Sequence, residues 1–314
     1  MKHVKRPVRP PAAWSTRLSR LLERVARRNG RDLSYLRANC RSIQRVTDGL
    51  GPDSDTPDSR AGARVVMNLS SAHVPAFCES QQKPYKNCYD LIPYAAARGL
   101  PIPVSEKRKL VDAALPLPAG IRPEQVYFGA VELNGGGIRF YGDICLVLAR
   151  ESVSPTDVVL DRNSYDILRS PAKEQVEIDT DDSSIEARRK RMLRGWSGAL
   201  GKDIGTIAAI KAIGKLSLTE RRWTTGQMSE AIRDDEDYIE VLKMGSFGPR
   251  DLQEARISAA DSAHDALVGS RLSRKPLPRL ESLIWRNRRS RAEAALRAVG
   301  VTVRIVTTSG RTKD

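Results

Sequence analysis

Val126-Tyr-Phe-Gly-Ala-Val-Glu-Leu133, Asn134-Gly-Gly-Gly137 and Ile138-Arg-Phe-Tyr-Gly-Asp-Ile-Cys-Leu-Val-Leu148 form the stretch that decides the fold. Two runs rich in β-branched and aromatic residues flank an Asn-Gly step, the pattern of two antiparallel strands joined as a hairpin. Working outward, Ala63 to Leu69 reads as a strand and Pro93 to Gly99 as a short helix with proline in its first turn and glycine at its end. Val158-Val-Leu160 leads into Asp161-Arg-Asn-Ser-Tyr-Asp-Ile-Leu168, read as a third short strand with a polar end. Tyr238 to Met244 follows an acidic turn as another strand, closed by Gly245-Ser-Phe-Gly-Pro249. Ile185 to Arg194 has a helical pattern, Ile204 to Ile213 fits helix or strand, and Arg288 to Val299 is a helix ending at Gly300 that feeds a last strand from Val301. Strands scattered among helices with hairpin pairing predict an α+β fold, a mixed, largely antiparallel and split sheet with flanking helices.

The 314-residue chain has room for one large domain or two ordinary ones. Residues 1–13, with Pro7, Pro10 and Pro11 among lysines and arginines, read as a disordered basic arm. Residues 14–61 read as a helical segment capped by Ser15, with Leu18, Leu21, Leu22 and Val25 at helical spacing, followed by the polar linker Asp48 to Ser59. Residues 62–314 then form one α+β domain, with a candidate catalytic core at 126–250. The N-terminus carries no apolar h-region, and no run approaches the 18 apolar residues of a membrane span, so the expectation is a cytoplasmic protein without a membrane partner. Cys40, Cys78, Cys88 and Cys145 are scattered and only three histidines accompany them, which predicts reduced thiols and no metal.

Charge is the strongest compositional signal. The net charge is +15 and much of it is arginine, the side chain that forks onto phosphate oxygens. Beyond the N-terminal arm, the excess gathers at Arg188, Arg189 and Arg191 and again at Arg286, Arg288 and Arg289. A nucleic acid or other polyanion is therefore an expected partner, through phosphate contacts with salt-dependent affinity. No zinc-finger spacing, aromatic RNA-binding run or helix-turn-helix accompanies these clusters, so nothing in the chain reads bases. A solvated basic surface is the plain alternative.

The familiar catalytic motifs are missing: there is no phosphate-binding loop, Gly-x-Ser-x-Gly elbow or His-Glu-x-x-His. Glu240 stands out instead. Strand alternation sends Tyr238 and Glu240 to one face and Ile239 and Val241 to the other. A carboxylate amid such apolar neighbours is costly unless it is paired or faces a cleft; the alternative is an edge strand that leaves it in water. Arg162, Ser164 and Tyr165 cluster at a strand end suited to a phosphate or ribose, or form only a turn in which Asn163 bonds locally. Arg139 and Tyr141 share the hairpin strand, and His73 alone among the histidines sits just past a strand, as a site residue would.

The order of Arg139-Phe-Tyr-Gly-Asp-Ile-Cys-Leu-Val-Leu, Asn163-Ser-Tyr and Tyr238-Ile-Glu-Val-Leu resembles the ADP-ribosyltransferase-fold toxins and effectors of bacteria over roughly residues 126–250. That family places Arg or His on an early strand, Ser or Tyr on a middle strand and Glu on a late one. The resemblance implies NAD as the ligand, with no metal required. It makes Glu240 the carboxylate that stabilises the oxocarbenium-like transition state as nicotinamide leaves, with Tyr238 beside it. Ser164 or Tyr165 would line the nicotinamide pocket, and Arg139, with Tyr141 on its strand, or His73 would hold the dinucleotide. The implied product is an ADP-ribosylated nucleic acid or protein. The chain departs from the family pattern in lacking Ser-Thr-Ser and in carrying Tyr238 where many members have Gln or Glu. Beside this transferase reading stand a non-enzymatic nucleic-acid-binding protein and a structural adaptor of a larger assembly.

Overall fold

The computed structural model describes residues 62–80, 85–101, 103–154, 156–160, 162–168, 183–187, 232–234, 237–272 and 277–307, with Ile204, Ala208 and Lys211 as single positions. The expected basic arm and N-terminal helical segment lie outside these residues, as do Arg188, Arg189 and Arg191. The strands are β1 Arg64–Leu69, β2 Val126–Glu132, β3 Ile144–Leu148, β4 Val158–Leu160, β5 Arg233–Asp234, β6 Asp237–Tyr238, β7 Glu240–Met244, β8 Leu252–Ser258 and β9 Val303–Val306. Among the described residues, the helices of at least six residues are α1 Val74–Glu79, α2 Ile92–Ala97, α3 Glu106–Ala113, α4 Ala259–Ser270 and α5 Leu280–Ala298. Seven strands form one sheet in the order β4-β7-β2-β1-β3-β8-β9, antiparallel throughout except for the parallel β8–β9 pair. Helices α4 and α5 supply the crossover that a parallel pair needs. The fold is thus α+β with a mixed, largely antiparallel sheet. Among the described strands, the two-residue ribbon β5–β6 stands apart from this sheet.

The expected hairpin is replaced by a different pairing. β2 and β3 do not pair with each other; β1 lies between them, with Val66 opposite both Ala130 and Val147. Val65, Val66 and Met67 are all buried, a run that belongs at the centre of a sheet and not at its edge. A two-residue turn cannot step across an intervening strand, so residues 133–143 pass over the end of β1 instead. Asn68 anchors this passage. Its Nδ2 donates to the Gly136 and Gly142 carbonyls, each at 2.9 Å, and its Oδ1 accepts the Ile138 N–H at 2.8 Å. Gly137 takes φ +69°, and a Cβ there would sit 2.2 Å from Asn68 Oδ1. Arg139–Tyr141 consequently forms a 3-10 turn, and Arg139 and Tyr141 do not share a strand face as the sequence suggested. Residues Ser164–Ile167 likewise form a 3-10 turn instead of continuing β4.

Register places Leu160, Glu240, Ala130, Val66, Val147 and Glu254 in one row across six strands. The opposite face of the sheet holds the main core, where Val65, Met67, Val131, Leu146, Ile239 and Val241 pack with Phe77 of α1 and Ala292 and Leu296 of α5. On the Glu240 face, the β4 side is covered by Val111 of α3 and Ile167 of the 3-10 turn, which pack on Leu160 and Leu242. Toward β1 this cover opens into a cleft. Among the described residues, no helix is long and apolar enough to cross a membrane.

Candidate functional site

The cleft has a volume of about 530 Å³, within the span of ordinary ligand sites. Val66, Ala130 and Glu240 contribute to it from the cross-sheet row, Phe128 and Asn68 from the same strands, and Tyr238 from β6. Further lining comes from His73 at the start of α1, the segment around Asn87, Arg108 of α3, Tyr141 and Tyr165. The site therefore reaches well before residue 126, the start of the expected catalytic core.

Glu240 is only 2% exposed. β7 is an internal strand between β4 and β2, which disposes of the edge-strand alternative. The carboxylate receives two donors: the Ser164 N–H reaches Oε2 at 2.6 Å, and the Tyr238 hydroxyl reaches Oε1 at 3.3 Å. The first amides of a helical turn have no partner within it. Here Glu240 accepts the amide of Ser164, while Asn163 Oδ1 accepts that of Tyr165 at 3.0 Å, the local turn that was the plainer reading of this segment. Loss of water around Glu240 pushes its pKa up; the hydrogen bond from Ser164 and the charge of Arg108 pull it back. Burial pushes the Tyr238 phenol up as well, reinforced by the charge of Glu240 and by Tyr141, so Tyr238 stays a neutral donor.

Of the residues proposed from sequence, Glu240, Tyr238, Tyr141, Tyr165 and His73 all line this one cleft. Ser164 lies behind it, fully buried, presenting its backbone to Glu240. Arg139 does not line it; its guanidinium is taken by Asp261 at 2.5 Å. Arg289, grouped with the phosphate-binding arginines, is 5% exposed and holds Asp265 through Nε and Nη2, each at 2.6 Å, so it is not displayed to a polyanion. The cause is helical phase: the face of α5 that carries Arg289 also carries Ala292 and Leu296 inward. Arg288 and Arg291 are exposed, and Arg286 is half-buried beside Gly269.

The sequence reading missed Arg108, although Ser105 gives a signal for its helix: the Ser105 side chain accepts the Arg108 N–H as an N-cap. It also missed Asn68, whose role appears only once the loop it holds is in place. Among the described residues, Cys78, Cys88 and Cys145 form no disulfide. Among the described residues, no group of three or more His, Cys, Asp or Glu side chains is placed to hold a metal ion.

No protein-family model, curated protein or solved structure matches the chain. A desolvated carboxylate with two fixed donors, tyrosines around it and a cation nearby is suited to bind a positively charged ring and to stabilise positive charge that develops beside it.

Proposed function

We propose that this protein cleaves NAD in the Glu240 cleft and transfers the ADP-ribosyl group to an anionic macromolecule, either a nucleic acid or a protein. The observation that carries the reading is the placement of Glu240 on the floor of a tyrosine-lined cleft of nucleotide-compatible size. The residues present fit the ligand in kind. Tyr141 and Tyr165 offer aromatic surface to the cationic nicotinamide ring, and Glu240 offers negative charge where water is excluded.

In the reaction, the bond between nicotinamide nitrogen and ribose C1′ breaks, and its electron pair leaves with the now neutral nicotinamide. Positive charge develops on the ribose, and the Glu240 carboxylate opposes it. The Ser164 amide and Tyr238 hydroxyl keep that carboxylate in one orientation, so little reorganisation is needed. An acceptor nucleophile then bonds to C1′ and releases its proton to solvent. The net charge of +15 favours an acceptor rich in phosphate or carboxylate.

Nicotinamide release from NAD tests the reading. The wild-type protein is expected to release it, and Glu240→Gln, which keeps the shape and the acceptor for Ser164, is expected to be slower by about 10² or more. No release by the wild type with nucleic-acid and protein acceptors present, or equal release by the variant, overturns the assignment.

A further inference from the structure

Among the described residues, Arg108 is the one arginine lining the cleft, and its surroundings leave part of its hydrogen-bonding capacity unused. Nη2 is bonded to Asp112 Oδ1 one helical turn on. The guanidinium lies 3.8 Å over the Phe128 ring, with the Tyr165 ring at 5.4 Å. Stacking on a strand-borne aromatic fixes the plane of the guanidinium. Nε is buried without a hydrogen-bond partner, whereas Nη1, which makes no hydrogen bond among the described residues, is not buried and is the N–H group left accessible. Asp112 is itself 2% exposed, and its other oxygen accepts the Tyr89 hydroxyl at 2.6 Å. Burial works against the charge on Arg108, but the hydrogen bond and charge of Asp112 outweigh it, and the guanidinium remains protonated.

An oriented guanidinium that lines a cleft, with Nη2 held by Asp112 and Nη1 accessible and unmet by the protein, suits an anionic acceptor from outside the protein. Asp112 cannot supply it, since it holds Nη2 and Tyr89 from behind. Glu240 does not supply it either, since its bonds run to Ser164 and Tyr238. Arg139, the arginine that sequence order offered for the dinucleotide, is already neutralised by Asp261.

We infer that Arg108 binds a phosphate oxygen of a nucleoside diphosphate moiety in the Glu240 cleft, with Asp112 and Tyr89 as positioning residues that hold its guanidinium stacked on Phe128. This deepens the transferase reading and rests on it. It divides the ligand between two parts of one cleft: the cationic ring and its ribose belong to Glu240 and the tyrosines, and the diphosphate belongs to α3.

Calorimetric titration of the full chain with ADP, nicotinamide riboside and inorganic phosphate separates the possibilities. Substituting Arg108 alone would strand the buried Asp112 charge, so the main variant is Arg108→Gln with Asp112→Asn, and Arg108→Lys provides a second that keeps the charge. Both are expected to weaken ADP by roughly tenfold to a hundredfold while leaving nicotinamide riboside within about twofold. Tyr89→Phe is expected to weaken ADP less, again without affecting the riboside, a split that general loosening of the fold would not produce. Unchanged ADP affinity in both Arg108 variants overturns the inference while leaving the transferase reading intact. Inorganic phosphate bound as tightly as ADP also overturns it, because the site would then serve a free ion. Failure of the wild type to bind either ADP or the riboside removes the transferase reading and this inference with it.

Discussion

The backbone N–H of Ser164 points at Glu240 Oε2 from 2.6 Å, so the first turn after β4 supplies a fixed donor to a carboxylate on the neighbouring strand. Tyr238, two residues before Glu240 on the same face, supplies the second. These contacts orient the carboxylate without restoring the hydration it lost, and its pKa remains above the ordinary value.

The first prediction is a stability change with pH. A carboxyl whose pKa is higher folded than unfolded favours folding while protonated; that contribution is complete below the unfolded value of about 4.3 and is lost as pH rises through the folded one. Burial raises Glu240, so above that window the ionised wild type is destabilised relative to an uncharged amide. Each tenfold rise in proton affinity corresponds to about 1.4 kcal/mol. The melting temperature of Glu240→Gln minus that of the wild type is therefore expected to increase from about pH 4 to pH 8. A flat or falling difference would show that the two donors and Arg108 outweigh desolvation.

Tyr238→Phe isolates one of the donors. Removing the hydroxyl deletes the 3.3 Å bond to Oε1 that favours ionised Glu240, so the carboxyl's pKa rises further. If ionised Glu240 drives nicotinamide release, the acid limb of the pH–rate profile moves to higher pH in this variant, while the rate well above the limb changes less. An acid limb that stays put would separate that limb from Glu240.

Asn68 carries the loop that brings Tyr141 to the cleft. Asn68→Ala deletes three hydrogen bonds from one side chain, each worth about 1 kcal/mol net, and is expected to lower stability by about 2–4 kcal/mol in urea titrations. The Ile138 amide should lose hydrogen-exchange protection by more than amides of β8, which Asn68 does not touch. Equal loss at both places would mean general unfolding and not release of the loop.

What could be read from sequence depended on whether the signal was local. The alternation of Tyr238 and Glu240 against Ile239 and Val241 survives although Tyr238 ends β6 and Glu240 opens β7, because period two is a property of extended backbone. The Asn134-Gly step misled for the complementary reason: it is a local turn signal, and the insertion of β1 between β2 and β3 is a distant event that no turn residue reports. β8 escaped notice because its Glu254 and Arg256 are polar in the sequence yet buried, joined at 2.6 Å, so hydropathy does not mark the strand. Arg108 shows the same limit in the site. Its sequence neighbours, Lys107 and Lys109, have the same charge, and only the tertiary position of Phe128 and Asp112 distinguishes it.

The arginines of α5 make the last prediction, since adjacent positions have opposite fates. Arg289 is buried against Asp265, with Asp143 at 3.6 Å and Asp261 at 3.9 Å from its Nη1. Arg289→Ala leaves Asp265 and Asp143 without this cation while Asp261 keeps Arg139, and is expected to cost about 3–5 kcal/mol in stability. Arg288 and Arg291 are exposed, so Arg288→Gln and Arg291→Gln should stay within about 0.5 kcal/mol of the wild type. If the chain binds a nucleic acid through phosphates, each exposed substitution that removes a contact lowers the slope of log affinity against log salt by about 1. Arg289→Met with Asp265→Leu, which removes the buried pair together, should leave that slope unchanged. A lower slope in this double variant and none in the exposed ones would reverse the assignment, and would require α5 to turn its inner face outward when it meets the polyanion.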